Sequence, residues 1–455
     1  MDDARSDALI FFGSTGDLAF KQIFPALLAL VEKGRLDMPV VCIGRKEIGD
    51  EKIRARAKES LANAGPVDAK AFAKLSAQLK YVAVDYDQPD TFKKIREAIG
   101  SAKRPLSYVA LPPEVFEKVA KNLASAGLAK DARLVLEKPF GNDLKSAKAL
   151  SEKLHESFPE EAIFRIDHFL GKEPVENIVY FRAANPVIES SLNKDEVESV
   201  QITMAETFGV KGRAEFYDEV GAIRDVVQNH LFELVACLAM DLPKASGHVG
   251  LRAARSKLLA KMKVLAPADV VRGQVKGYKD EKGVKKGSTT ETFAVVRVEL
   301  DSERWRGVPF FIRAGKSLPV DATEAVIRFR GTTQPVLDDN ANAPKNYLRL
   351  RTGPTSVIGL GVSMKKNGQK MVGEPSELVL HRADTEAMKA YERLLGDAID
   401  GDPTLYANKD AAEESWRVVE AVLGDATPVH VYDEGTWGPA EAAQITPPGG
   451  WWNPG

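Results

Sequence analysis

Cysteine is nearly missing from this chain. Cys42 and Cys237 are the only two among 455 residues and lie far apart. That excludes a disulfide framework and a cysteine-based metal set, and it makes a reducing compartment the expectation. Both thiols sit in apolar runs, where cysteine packs as a small hydrophobe. Net charge is equally scarce, since 63 Lys and Arg against 65 Asp and Glu leave −2. No basic stripe is available for nucleic acid or an anionic membrane, so an anionic ligand must be met by a few locally placed cations. No apolar run reaches the ~20 residues of a membrane span. Met1 to Asp7 is polar and acidic, unlike the apolar core of a secretory leader. A cytoplasmic protein with neither nucleic acid nor membrane as partner is expected. Histidine is also rare, six in all, so two of them close to carboxylates are worth following.

The length favours two domains over one core. In the first third, apolar strand-like runs at Ala8–Phe12, Val40–Gly44, Tyr81–Val84, Leu106–Leu111, Arg133–Leu136 and Ala162–Ile166 alternate with helix-period segments such as Phe20–Lys33. Alternation of this kind makes βαβ units and a mostly parallel sheet. The pattern changes near Gly171. A strand-like run at Val197–Phe208 precedes a long helical stretch at Ala222–Met240. Strand candidates at Thr292–Leu300, Val308–Ile312, Ala325–Phe329 and Tyr347–Leu350 then follow with few helices between them. That predicts an α+β second domain with a mainly antiparallel sheet. Helices are expected again at Thr385–Ile399 and Ala411–Leu423, and an irregular tail from Pro447. Lys365-Lys366-Asn367-Gly368 reads as a hairpin turn. Trp305 and Trp437 read as packing residues. Pro112-Pro113 ends a strand, where a plain turn or a cis bond would fit.

Gly13, Gly16 and Ala19 follow the first strand and open the first helix. This is a variant of the dinucleotide fingerprint, in which small residues let the backbone turn sharply and approach a pyrophosphate at a helix N-terminus. The spacing alone also fits an ordinary tight turn. The second strand ends in Arg45-Lys46, where an NAD-binding chain would carry an acid for the ribose diol. A cation there attracts a 2′-phosphate and favours NADP. Glu47 nearby leaves NAD use open, and a solvated surface pair is the plainer alternative.

Reactive groups concentrate in two segments. Arg165-Ile166-Asp167-His168-Phe169-Leu170-Gly171-Lys172-Glu173 follows the last parallel strand, and Arg224-Asp225 precedes Gln228-Asn229-His230 on the long helix. Spacing alone leaves both histidines open to a purely structural role.

These runs, with Gly13-Ser14-Thr15-Gly16-Asp17-Leu18-Ala19, Glu137-Lys138-Pro139-Phe140-Gly141 and Gly221 to His230, resemble the signature segments of the glucose-6-phosphate dehydrogenase family. Arg304 to Phe310, Arg313-Ala314-Gly315-Lys316, Tyr391-Glu392-Arg393-Leu394 and Gly435 to Pro439 extend the resemblance in family order over nearly the whole chain. It implies a Rossmann-type NADP-binding domain over 1–168 and a larger substrate-binding and oligomerisation domain over 169–455. It further implies NADP-dependent oxidation of glucose 6-phosphate at C1 to the lactone, without a metal. His230 corresponds to the family's general base and Asp167 to its carboxylate partner, roles that suit a group titrating near neutrality and a group that fixes its tautomer. His168 and Lys172 correspond to the phosphate ligands. Lys138, Glu206, Asp225 and Lys316 correspond to the sugar-hydroxyl ligands, Lys138 also reaching the cofactor. Gly13, Ser14, Thr15, Gly16, Asp17, Leu18 and Arg45 would form the cofactor site. A homodimer or homotetramer is implied as well.

Three positions depart from the family pattern. Phe169 stands where a tyrosine is usual, Asp321 where a second phosphate-binding lysine is common, and Gln22 where a basic residue is usual. An acid facing the phosphate would favour another C6-substituted hexose, such as an amino sugar phosphate, with the same chemistry. A non-catalytic NADP-binding regulator is the alternative of another class. The intact set Asp167, His168, Lys172, His230 and Lys316 speaks against it.

Overall fold

The computed structural model describes residues 5–244, 250–332, 334, 336–337, 343–382 and 388–455. They form two compact units. The first gathers Met1–Glu173 with Pro243–Ser256 and Met388–Glu413, the second Pro174–Leu242, Lys257–Ala387 and Glu414–Gly455. Two late segments thus return to the first unit, which a single division at 168/169 does not contain. For Met388–Glu413 the reason is the apolar stripe Leu394, Leu395, Ala398 and Ile399, which is buried in the first unit's core together with Leu405 and Tyr406.

The first unit is built on β1 (Ala8–Phe12), β2 (Val40–Gly44), β3 (Leu79–Ala83), β4 (Pro105–Val109), β5 (Arg133–Leu136) and β6 (Ile163–Arg165). They pair in parallel in the order β3-β2-β1-β4-β5-β6, the doubly wound dinucleotide-binding order. The central strands are apolar without alternation because helices cover both sheet faces. Leu9 and Phe11 enter one core, Ala8, Ile10 and Phe12 the other. The helix expected over Phe20–Lys33 opens with a π-helical turn, Ala19–Ile23, and continues as an α-helix over Phe24–Glu32.

The second unit carries β7 (Val197–Ala205), β8 (Val270–Val275), β9 (Phe293–Val298), β10 (Phe310–Gly315), β11 (Ala322–Phe329), β12 (Tyr347–Gly353), β13 (Ser356–Lys365), β14 (Gly373–Arg382) and β15 (Val429–Tyr432). They form one sheet in the order β14-β13-β12-β11-β7-β10-β9-β8-β15. It is mainly antiparallel, as expected, with parallel pairs at β7/β10 and β8/β15. The Lys365–Gly368 turn lies in the β13–β14 connection. Of the helix expected over Thr385–Ile399, residues 385–387 lie outside the described residues, and Ala390–Asp400 is helical. Trp305 is buried and donates its indole N–H to the Ala239 carbonyl at 2.8 Å. The Arg313 guanidinium lies 4.1 Å from the Trp437 ring centre and 4.6 Å from that of Trp451. Burial pulls the guanidinium's pKa down to about 9. The residues from Pro447 onward form neither helix nor strand, and they are tied down by Arg313 hydrogen bonds to the Trp452 carbonyl and the Asn453 side chain. Cis peptides occur at Lys138-Pro139 and Gly353-Pro354, whereas Pro112-Pro113 is trans.

The long helical stretch Ala222–Met240 changes winding. Ile223–Leu231 is a π-helix, and Phe232–Ala239 is α-helical. In an α-helix, residues five apart point about 140° away from each other. Bonding from i to i+5 stacks them one turn apart instead. The π-winding therefore brings Asp225 and His230 onto one side of the same helix.

Candidate active site

At the end of β1 the chain turns at Gly13, whose φ is +77°. A Cβ on Gly13 would lie 2.1 Å from the carbonyl oxygen of Ala110, just beyond β4. Only glycine fits this crossing of two neighbouring strand ends, the place where the strand order reverses and dinucleotides bind. Ser14 is buried, and its hydroxyl is held by the Ile43 carbonyl at 3.0 Å. Thr15, Gly16 and Asp17 are exposed, and Leu18 packs on the core. A cavity of about 280 Å³ opens here, lined by Gly13, Thr15, Gly16, Arg45 and Tyr86 among others. A turn with glycine at both ends and a cation at the end of β2 matches what a dinucleotide with a 2′-phosphate requires. Arg56 is a cation that sequence reasoning missed. From the helix Gly49–Ala64 it donates to the Gly16 carbonyl at 3.0 Å. Its helix was not distinguished by any motif, so no sequence signal singled it out.

At the other end of the same sheet, the Ile166 N–H bonds the Leu136 carbonyl at 2.9 Å, extending the β5/β6 pairing to the edge of Asp167. The Asp167 carboxylate accepts the Phe169 N–H at 2.9 Å and so folds the turn that carries His168. Lys172 closes the next turn through its N–H to Phe169, and its ammonium lies 3.6 Å from the Phe169 ring centre. The phenylalanine that departs from the family pattern thus serves as a cation–π seat for Lys172. Tyr391 stacks on His168, with ring centres 6.4 Å apart and planes 8° from parallel. Its hydroxyl bonds Glu137, which also takes the Tyr108 hydroxyl at 2.5 Å. Burial raises the Glu137 carboxyl to about 7, the nearby Asp167 adding to the effect, although both tyrosines and Lys138 act the other way. Lys138 and Asp167 therefore share the surroundings of one buried carboxyl. Sequence reasoning gave no role to Glu137 or Tyr391. Both stood in quoted motifs, but their meeting across 254 residues has no local signature.

In the second unit, Ala205 at the end of β7 pairs with Gly315 at the end of β10, so the next residues on each strand, Glu206 and Lys316, emerge side by side and form an ion pair. The Lys316 ammonium also lies 5.6 Å from the Tyr217 ring centre. Burial raises the Tyr217 hydroxyl well above its ordinary range, and the charges of Asp225 and Glu206 push the same way. Glu206, Asp225 and Lys316 thus gather around one buried tyrosine, with His230 on the helix that carries Asp225. Asp321 does something other than expected. Its two oxygens accept the Thr207 N–H at 2.8 Å and the Thr207 hydroxyl at 2.7 Å, bracing the residue next to Glu206. Engaged with Thr207 in this way, the Asp321 carboxylate gives no ground for expecting a hexose other than glucose 6-phosphate.

The class defined by these features is a dinucleotide-dependent oxidoreductase with a doubly wound nucleotide unit and an α+β unit of acid, base and amine side chains. Residues 10–177 match the family model described as glucose-6-phosphate dehydrogenase, NAD binding domain, and residues 179–452 match its C-terminal domain. Glucose-6-phosphate 1-dehydrogenase 1 of Mycobacterium tuberculosis is 38% identical over 453 residues, covering 99% of this chain and 97% of that one. The glucose-6-phosphate 1-dehydrogenase of Aggregatibacter actinomycetemcomitans is 35% identical over 475 residues, covering 97% and 96%. Among solved structures, glucose-6-phosphate 1-dehydrogenase from Mycobacterium avium superposes with a TM-score of 0.92 at 38% identity, covering 99% of each chain. A glucose-6-phosphate dehydrogenase in complex with its substrate superposes with a TM-score of 0.88 at 31% identity, covering 97% of each chain. The chain belongs to the glucose-6-phosphate dehydrogenase family.

Proposed function

We propose that this protein oxidises glucose 6-phosphate at C1 to the lactone, with NADP as the partner redox cofactor. NADP, when bound, supplies the hydride acceptor. Gly13 to Leu18 hold its pyrophosphate end, Arg45 its 2′-phosphate, and Lys138 contacts both cofactor and sugar. His168 and Lys172 bind the substrate phosphate. Glu206, Asp225, Lys316 and Lys138 accept from or donate to the sugar hydroxyls. A ring nitrogen of His230 takes the proton of the C1 hydroxyl as the C1–H bond breaks and the C1 carbonyl forms. Asp167 fixes the imidazole tautomer and stabilises the imidazolium.

The observation that carries this reading is the local clustering of its parts. The Asp167 turn, with His168 and Lys172, stands at the end of the nucleotide sheet, and Glu206, Asp225 and Lys316 surround Tyr217 in the second unit. The relatives of which 97% and 96% are matched are named glucose-6-phosphate 1-dehydrogenases. Steady-state formation of NADPH from glucose 6-phosphate tests the proposal, and absence of turnover at millimolar substrate overturns it.

We further propose that it works in the cytoplasm, in line with the relatives named as cytoplasmic. Among the described residues, no helix is long and apolar enough to cross a membrane. The homodimer or homotetramer implied by the family would use the sheet edge β14, where Leu378 and Leu380 are 63% and 66% exposed.

A further inference from the structure

The π-helix that carries Asp225 and His230 is an expensive choice. A helix leaves its first N–H groups without partners. With i to i+5 bonding, one more N–H is left over than in an α-helix. The start of this helix is met by a residue from another element. Glu291, two residues before β9, accepts the Ile223 N–H on its carboxylate at 3.0 Å and the Ala222 N–H on its backbone carbonyl at 2.9 Å. The approach is tight enough to exclude a side chain at Gly221, whose φ is +70° and whose Cβ would fall 2.6 Å from the Glu291 carboxylate. The other carboxylate oxygen accepts from Arg272 of β8 at 2.9 and 3.2 Å. Arg272 is in turn fixed by the carbonyls of Thr427 at 2.9 Å and Thr289 at 2.7 Å. Both side chains of the ion pair are buried, at 3% and 5% exposure.

We infer that Glu291 is a positioning residue for the reaction: anchored by Arg272 on the β8/β9 pair, its carboxylate caps the π-helix and fixes how Asp225 and His230 stand relative to each other. A carboxylate at a helix N-terminus is favoured both by the unpaired N–H groups and by the helix dipole. Without this acceptor, the extra unpaired N–H of the π-winding is left unmet, and α-helical bonding, which leaves one fewer, would rotate residue 225 away from residue 230. The inference deepens the proposed function and rests on it for the roles of Asp225 and His230.

Three variants of the enzyme test it. In Glu291→Met with Arg272→Met, both charges and the acceptor are gone. Buried ion pairs replaced by apolar residues are often neutral for stability, so the melting temperature should stay within about 3 °C. In Glu291→Gln with Arg272→Met, the charges are gone and the acceptor remains. We expect the first variant to lose kcat by about tenfold or more with the Michaelis constant for NADP unchanged. We expect the second to stay within about threefold of wild type. In parallel, hydrogen exchange of amides 222–231 should be about tenfold faster in the first variant and near wild type in the second. Equal kcat and equal exchange in both folded variants would overturn the inference, as would equal losses in both. If the Met pair does not fold, Glu291→Gln alone decides. Near-native kcat and exchange support the cap, and a folded protein with a tenfold loss refutes it. Failure of the wild type to turn over glucose 6-phosphate would instead strike at the function, and the exchange measurements would still judge the cap.

Discussion

Glu137→Gln at the end of β5 should make the protein less sensitive to alkali. The carboxyl is buried between the hydroxyls of Tyr108 and Tyr391, and its pKa rises from 4.5 to about 7. Two and a half powers of ten at 1.36 kcal/mol each amount to about 3 kcal/mol. The folded state holds this proton more tightly than the unfolded chain does. The associated stability is therefore fully present below pH 4.5 and is lost as pH rises through about 7. Glutamine keeps a hydrogen-bonding group at the site but cannot ionise. Relative to wild type, Glu137→Gln should gain about 3 kcal/mol in unfolding free energy between pH 4.5 and pH 8.5. Urea denaturation followed by far-ultraviolet circular dichroism at both pH values measures this. Every other titrating group is common to the two proteins and cancels in the difference. A stability difference that stays constant across that range would refute the argument. Direct observation by NMR of a glutamate side-chain carbon titrating near 7, absent in the variant, would support it.

Three further outcomes can be checked with ordinary enzymology. His230→Asn should lower kcat by about a hundredfold or more while melting like the wild type, the scale of lost general-base catalysis; a drop under tenfold would remove His230 from that role. Arg45→Ala should raise the Michaelis constant for NADP by about tenfold to a hundredfold, the worth of a charged hydrogen bond, and leave that for NAD unchanged; parallel effects on both cofactors would mean that Arg45 does not meet the 2′-phosphate. Asp321→Ala removes both acceptors from Thr207 and should cost about 1 kcal/mol in thermal stability, whereas an unchanged melting temperature would show that the brace is idle.

The parts of the fold that depend on neighbouring residues were legible in the sequence. β1, β2 and β5 follow from short apolar runs, and the Gly13 turn follows from small residues at the first strand-to-helix junction. Four strands were not read, because their patterns are broken for reasons that lie elsewhere in the chain. β8 contains Arg272, a buried cation that is acceptable only because Glu291 pairs with it. β13 contains Gly359 and Gly361, which face Glu377 and the ring of Tyr347 so closely that a side chain would clash. β14 opens with Gly373-Glu374-Pro375, which reads as a loop, and β15 is only four residues long. The change from π to α winding inside Ala222–Met240 also left no trace, since apolar spacing reports a helix but not its bonding. Among the proposed site residues, Asp167, His168, Lys172 and His230 were singled out through motifs that resemble the family's. Glu137, Tyr391 and Glu291 act through partners far away in sequence, and no single-sequence period encodes such meetings. Asp321 was misjudged because its charge was visible and its partner, Thr207, was not.

Gly13 has a consequence for how cofactor choice can change. With the Ala110 carbonyl where any added carbon would go, the turn cannot be altered without moving two strands. In the proposed nucleotide site, it can therefore serve only what all dinucleotides share. In the proposed site, discrimination falls to Arg45, which follows β2 and lines the cavity. Laboratory redesign toward NAD can thus leave the turn untouched and begin at position 45. The immovable half of the nucleotide site guards binding in general, and the adjustable half sets the preference.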